Sequence, residues 1–152
     1  MKKITLLFFV LILAACAASG GETGTELSRN QQKWQDANVD HYSFQLSVTC
    51  FCPVSGIMPM TVEVKDGEVV SIVDVNGNAF SSTDPLNELI QKYATIDRIF
   101  AELATDPVQN AEKLEVTYDP TYGFPTEVTI DFVEQIADDE LYLSLSGFEP
   151  LP

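Results

Sequence analysis

The sequence predicts an α+β fold: a single antiparallel β-sheet of about six strands covered by helices, in the order helix, three strands, helix, three strands. Three observations carry this expectation. Several short segments alternate apolar and polar residues with period two, the mark of strands with one buried and one wet face. Other segments space their apolar residues three and four apart, as helices do. The links between successive strand segments are short, and short links join antiparallel neighbours because parallel ones need a long crossover.

The chain opens MKKITLLFFVLILAACAASGG. Lys2 and Lys3 form a basic start, Ile4 to Leu13 is apolar apart from Thr5, and small residues follow. The apolar run is shorter than the roughly 20 residues that a membrane-spanning helix needs. The pattern is that of a secretory signal peptide over residues 1–15. Leu13-Ala14-Ala15-Cys16 resembles the lipobox of bacterial lipoproteins. That resemblance implies cleavage before Cys16, a diacylglycerol on its thiol, and a further acyl chain such as palmitate on its amine. The implied place is the cell envelope, anchored to the membrane by lipid and outside the cytoplasm. Ala17 stands where Asp would favour retention in the inner membrane. It points to the outer membrane, facing the periplasm, if the envelope is Gram-negative. Residues 16–25 then comprise the anchor cysteine and a small, polar, Gly-rich segment, AASGGETGT. This composition predicts a flexible tether reaching on the order of 15–20 Å.

A single domain is expected over residues 26–152. Glu26 to Asp36 reads as a short helix with Leu27 and Trp34 on one side, Thr25 at its start and Asn38 at its end. From Tyr42 the even positions are Tyr42, Phe44, Leu46, Val48, Cys50 and Cys52, while the odd ones from His41 are polar. This is the clearest strand in the chain, and it places both cysteines on its buried face. Pro53, Gly56 and Pro59 break it into a loop.

Met60 to Asn76 reads as a hairpin around Lys65-Asp66-Gly67. A two-residue Asp-Gly turn would set Val62 opposite Ser71. A three-residue loop with Gly67 as the left-handed residue would set Val62 opposite Val70 and Met60 opposite Ile72. The second register matches apolar with apolar and is the expected one.

Ser81 to Leu103 has helical spacing in two pieces. The first carries Leu86, Leu89, Ile90 and Tyr93 behind an Asp84-Pro85 start. The second carries Ile96, Ile99, Phe100 and Leu103 behind Thr95, and Pro107 marks the stop. Three final strands are expected from Leu114, Val116 and Tyr118, then Val128, Ile130 and Phe132, then Leu141, Leu143 and Leu145.

Removal of residues 1–15 leaves 137 residues, enough for one real core. It also removes Lys2 and Lys3, so six basic residues face 23 acidic ones and the net charge becomes −17. Such a surface repels phosphate, which excludes nucleic acid as a partner. The acidic residues are dispersed, as on a self-repelling, soluble surface.

Four features together resemble a family of small bacterial lipoproteins catalogued as a domain of unknown function. They are the Trp34 helix, the Tyr-x-Phe run from Tyr42 ending in Cys-Phe-Cys-Pro, the VKDGEVVSI hairpin, and the turn Tyr-Asp-Pro-Thr-Tyr-Gly-Phe-Pro from Tyr118 to Pro125. The resemblance implies a secreted, often lipidated domain. It implies no activity and no catalytic residues.

Among candidate sites, the cysteines come first. Zinc takes at least three protein ligands, and His41 lies on the opposite strand face, nine residues from Cys50. That is about 30 Å along an extended strand. No metal or other cofactor is expected. A redox dithiol wants a nearby positive charge, and no Lys, Arg or His neighbours Cys50 or Cys52. A short Cys50–Cys52 disulfide is favoured, with buried free thiols as the alternative. Residues two apart on a strand sit about 6.5–7 Å apart, so the backbone must bend there to form the bridge.

Tyr118, Tyr122 and Phe124 could present a flat recognition platform, set against rings that merely cap the core. Asp138, Asp139 and Glu140 offer oxygen ligands but lack the spacing and glycine of a calcium loop, and read as a solvated turn. No Gly-x-Ser-x-Gly elbow accompanies the one histidine. No catalytic residue is assigned. The expectation is a non-enzymatic, membrane-anchored binding or envelope-assembly module with an envelope protein as partner. The alternative is a thiol redox or metal-handling protein that uses Cys50 and Cys52.

Overall fold

The computed structural model describes residues 20–133 and 135–152. Residues 1–19, which include the expected signal peptide, the lipobox and Cys16, lie outside the described residues. In chain order the elements are α1 (Gly20–Ala37), β1 (His41–Thr49), β2 (Met60–Lys65), β3 (Glu68–Val73), α2 (Asn87–Tyr93), α3 (Ile96–Leu103), α4 (Asp106–Gln109), β4 (Lys113–Tyr118), β5 (Pro125–Asp131) and β6 (Leu141–Pro150). The strands form one six-stranded sheet in the order β3-β2-β1-β6-β5-β4, with every neighbouring pair antiparallel. Two three-stranded meanders thus meet along β1 and β6. The α+β architecture and the order of elements are those the alternation and the short links predict.

The helix α1 begins earlier than expected. The last six residues of the segment read as a tether, Gly20 to Thr25, belong to it. Leu27 and Trp34 are buried and fix its middle. Once those turns stand, each further residue upstream adds one hydrogen bond for one residue ordered, and no proline intervenes. Ser28 Oγ donating to the Gly24 carbonyl, and Asn30 Nδ2 to that of Glu26, tie side chains into these turns. Asn38, at φ 49°, ends the helix in the left-handed region, as its position suggests.

The β2–β3 hairpin follows neither expected register throughout. Asp66 and Gly67, at φ 52° and 77°, form a two-residue turn that sets Lys65 opposite Glu68 and Val64 opposite Val69. Two positive φ values suit an Asp-Gly turn matched to strand twist. A bulge then slips the register, so Val62 faces Ile72 rather than Val70 or Ser71. The extra residue is Val70, which stands exposed. Apolar pairing is achieved by a bulge within the strand, not by a longer loop.

The helical stretch divides as the spacing predicts. Thr95 Oγ1 accepts from the Arg98 amide at 3.1 Å and caps α3. Asp84 Oδ1 accepts from the Leu86 amide in a turn that precedes α2, so this helix starts at Asn87 rather than at Pro85. Pro107 does not simply end the run: it sits in the first turn of α4, where its missing N–H is not needed.

One sheet face and the helices enclose the core. Tyr42, Phe44, Leu46 and Val48 of β1, Met60, Val62 and Val64 of β2, and Leu141, Leu143 and Leu145 of β6 are buried with Ile96, Ile99, Phe100 and Leu103 of α3. Each such apolar side chain contributes about 1.5–3 kcal/mol by leaving water. The buried Tyr42 hydroxyl accepts from the Ile96 amide at 3.2 Å, and Trp34 Nε1 donates to Asp97 Oδ1. The first contact holds the start of α3 against the sheet, and the second holds it against α1. On the opposite face the alternation places Ser43, Gln45, Ser47 and Thr49 of β1 across from Glu149, Ser146, Ser144 and Tyr142 of β6.

Candidate functional site

The surface with the most unusual local chemistry is the end of β1. The strand stops at Thr49, and the backbone folds through two successive three-residue turns. The Cys52 amide donates to the Cys50 carbonyl at 2.7 Å, and the Val54 amide to the Cys52 carbonyl at 2.8 Å. Val54, at the far side of the turn, is buried. The bend brings the Cα atoms of Cys50 and Cys52 to 5.2 Å, inside the span a disulfide needs, and their sulfurs lie at bonding distance.

The bend also changes which way these residues face. Alternation continued to Cys52 would bury both cysteines; because the strand ends sooner, both are half-buried. Phe51, between them, is 81% exposed. Exposure of one aromatic ring is a small matter alone, but this ring is held on a turn closed at both ends.

Among the clefts at the turn, two extend beyond it to other parts of the chain. One, of about 200 Å³, is lined by Thr49, Cys50, Phe51, Asp138, Glu140 and Tyr142. Tyr142 lies directly opposite Thr49 in the β1–β6 ladder and is 47% exposed. The other, of about 290 Å³, runs from Ser47 past both cysteines to Met58 and Pro59. Neither lining includes a Lys, Arg or His. Among the described residues no group of three His, Cys, Asp or Glu side chains is placed to hold a metal ion.

The aromatic turn packs largely inward. Phe124 is buried, and Tyr118 and Tyr122 are half-buried. Trp34, Tyr122, Phe124 and Phe148 form one cluster with ring centroids 4.6–6.4 Å apart, closing the core beneath α1. Burial holds the Tyr118 hydroxyl up to about 12. Asp119 builds the turn: its Oδ1 accepts from the amides of Thr121 and Tyr122. Gly123, at φ 84°, lets the backbone approach α1 so closely that a Cβ there would stand 2.7 Å from the Asn30 carbonyl oxygen. Lys33 Nζ donates to the Pro120 carbonyl from the same helix. Of the two readings of Tyr118, Tyr122 and Phe124, this packing fits rings that cap the core. The rings are drawn inward by a helix whose docking the local sequence does not disclose.

His41 sits on the open sheet face, apart from the cysteines as expected. Its Nε2 lies 3.0 Å from Glu63 Oε1, and its Nδ1 lies 2.9 Å from the Pro152 carbonyl. The hydrogen bond with Glu63, and then that with Pro152, raise its pKa above the ordinary 6.5. The Glu63 side chain is 37% exposed, so this pair lacks the buried carboxylate that a hydrolytic site would need.

Sequence reasoning singled out the cysteines but missed Phe51 and Tyr142. Phe51 breaks the apolar-even rule of its strand, a signal that could have marked it as exposed.

A family model described as "Family of unknown function (DUF6174)" matches residues 26–150. No curated protein and no solved structure matches the chain.

Proposed function

The chain belongs to that family of unknown function, and we propose that it is a binding or envelope-assembly module held at the membrane by a lipid on Cys16. The lipobox resemblance supports the anchor. Three acyl chains exceed the two signals that stable anchoring needs, at about 0.8 kcal/mol per buried methylene. The partner is a protein of the envelope, and the outer membrane is the site if the envelope is Gram-negative. The observation that carries the binding reading is Phe51, 81% exposed on a turn bounded by Cys50 and Cys52. Alkylation-resistant cysteines there would mark a bridge that sets this ring in place.

Two measurements test the reading. Labelled palmitate should enter the native chain and not a Cys16→Ser variant, which should leave the membrane fraction. On native electrophoresis of detergent-solubilised envelope, the chain should migrate within a larger assembly, and Phe51→Ala should release it. A chain that migrates alone in both forms sinks the binding reading.

The thiol redox reading keeps one observation in its favour: the pair is accessible and at bonding distance. Intact mass before and after mild glutathione treatment and alkylation separates the two. Ready opening favours redox exchange; a resistant bridge favours a fixed scaffold for Phe51.

A further inference from the structure

We propose that the cleft beside the Cys50–Phe51–Cys52 turn receives a cationic side chain, Arg or Lys, from a protein partner; the inference rests on the binding reading above and names what that surface recognises. The lining combines two exposed rings, Phe51 and Tyr142, with two carboxylates, Asp138 and Glu140. Aromatic faces attract a cation through their quadrupole, and carboxylates accept its N–H donors. Glu140 directly precedes β6 and Tyr142 is the second residue of that strand, and both line the cleft. Between the two lining carboxylates, Asp139 keeps Oδ1 away from solvent with no hydrogen-bond partner among the described residues.

The surroundings reinforce the sign. No basic residue lines the cleft, and the chain carries a net charge of −15. A field of this sign steers cations in and keeps phosphate headgroups out, which argues for a protein side chain over a lipid surface as the occupant. The cleft of about 200 Å³ fits one side chain rather than a folded segment. The Cys50–Cys52 pair and the two short backbone turns hold the main chain that carries Phe51, which lowers the ordering cost of presenting it.

The test uses the full chain in nonionic detergent micelles. The probe is the capped peptide acetyl-Gly-Arg-Gly-amide, whose single charge keeps general attraction small, compared with its neutral citrulline counterpart. The Arg peptide should shift the ring resonances of Phe51 and Tyr142 saturably, and the citrulline peptide should bind about tenfold more weakly. Phe51→Ala and Tyr142→Ala leave the net charge unchanged and replace exposed side chains, so the fold stays intact. Each should weaken the Arg peptide about threefold to fivefold, and Asp138→Asn with Glu140→Gln should abolish its preference over citrulline. Equal binding of the two peptides, or affinity unchanged by Phe51→Ala and Tyr142→Ala, overturns the inference. So does a native assembly that Phe51→Ala disrupts but Asp138→Asn with Glu140→Gln leaves intact; in that case the binding reading stands and the cation falls. If no assembly is found at all, both fall.

Discussion

Gly123 and His41 show how single residues carry the fold. At Gly123 two demands coincide, a left-handed φ of 84° and a backbone approach that leaves no room for a Cβ beside Asn30 and Lys33. Gly123→Ala should cost about 2–4 kcal/mol, combining the left-handed penalty with overpacking, as read from urea midpoints at constant slope. His41 gives a pH dependence whose sign follows from its raised pKa. The folded state holds this proton more tightly than the unfolded chain. Its contribution is therefore fully present below the unfolded value of 6.5 and is lost as pH rises through the folded value. An NMR titration should place His41 above 6.5, and His41→Gln should flatten that part of the stability profile. A His41 titrating below 6.5 would contradict the Glu63 contact.

Among the elements, α1 and the turn after β1 divide the work between packing and presentation. Trp34 is buried, meets Tyr42, Phe124 and Phe148 edge-on, and donates to Asp97 on α3. Trp34→Ala should cost about 3–5 kcal/mol, and near-ultraviolet dichroism should show the aromatic cluster loosened. The turn at Cys50 behaves differently. A bridge closing so short a loop removes little chain entropy, so Cys50→Ser with Cys52→Ser should lower stability by only about 1–2 kcal/mol. A loss larger than that would mean that the pair holds the core rather than the surface. Thr95, the buried cap of α3, should cost about 1 kcal/mol as Thr95→Ala.

At the level of the whole molecule, the sheet was legible in the sequence because alternation is a local signal. Each of β1, β5 and β6 writes its buried face into its own residues, and antiparallel order follows from short links. The hairpin register was not legible, because the bulge at Val70 answers to Ile72 pairing across the strand, a contact beyond the turn's own residues. The start of α1 was missed for a similar reason: Gly20 to Thr25 has the composition of a linker, and only the packed turns downstream make it helical. The aromatic turn left two readings open because its rings look alike whether they face solvent or Trp34. At the cysteines, spacing forecast the bend, but exposure of Phe51 depends on where β1 stops.

These placements favour a candidate surface at the Phe51 end of β1 over one at Tyr118–Phe124. A photoreactive phenylalanine analogue placed in turn at positions 51 and 122 of the native chain tests that choice most directly. Illumination in the intact envelope should yield a discrete cross-linked partner from position 51, diminished by Asp138→Asn with Glu140→Gln, and none from position 122. Cross-links from position 122 with none from position 51 would contradict the account.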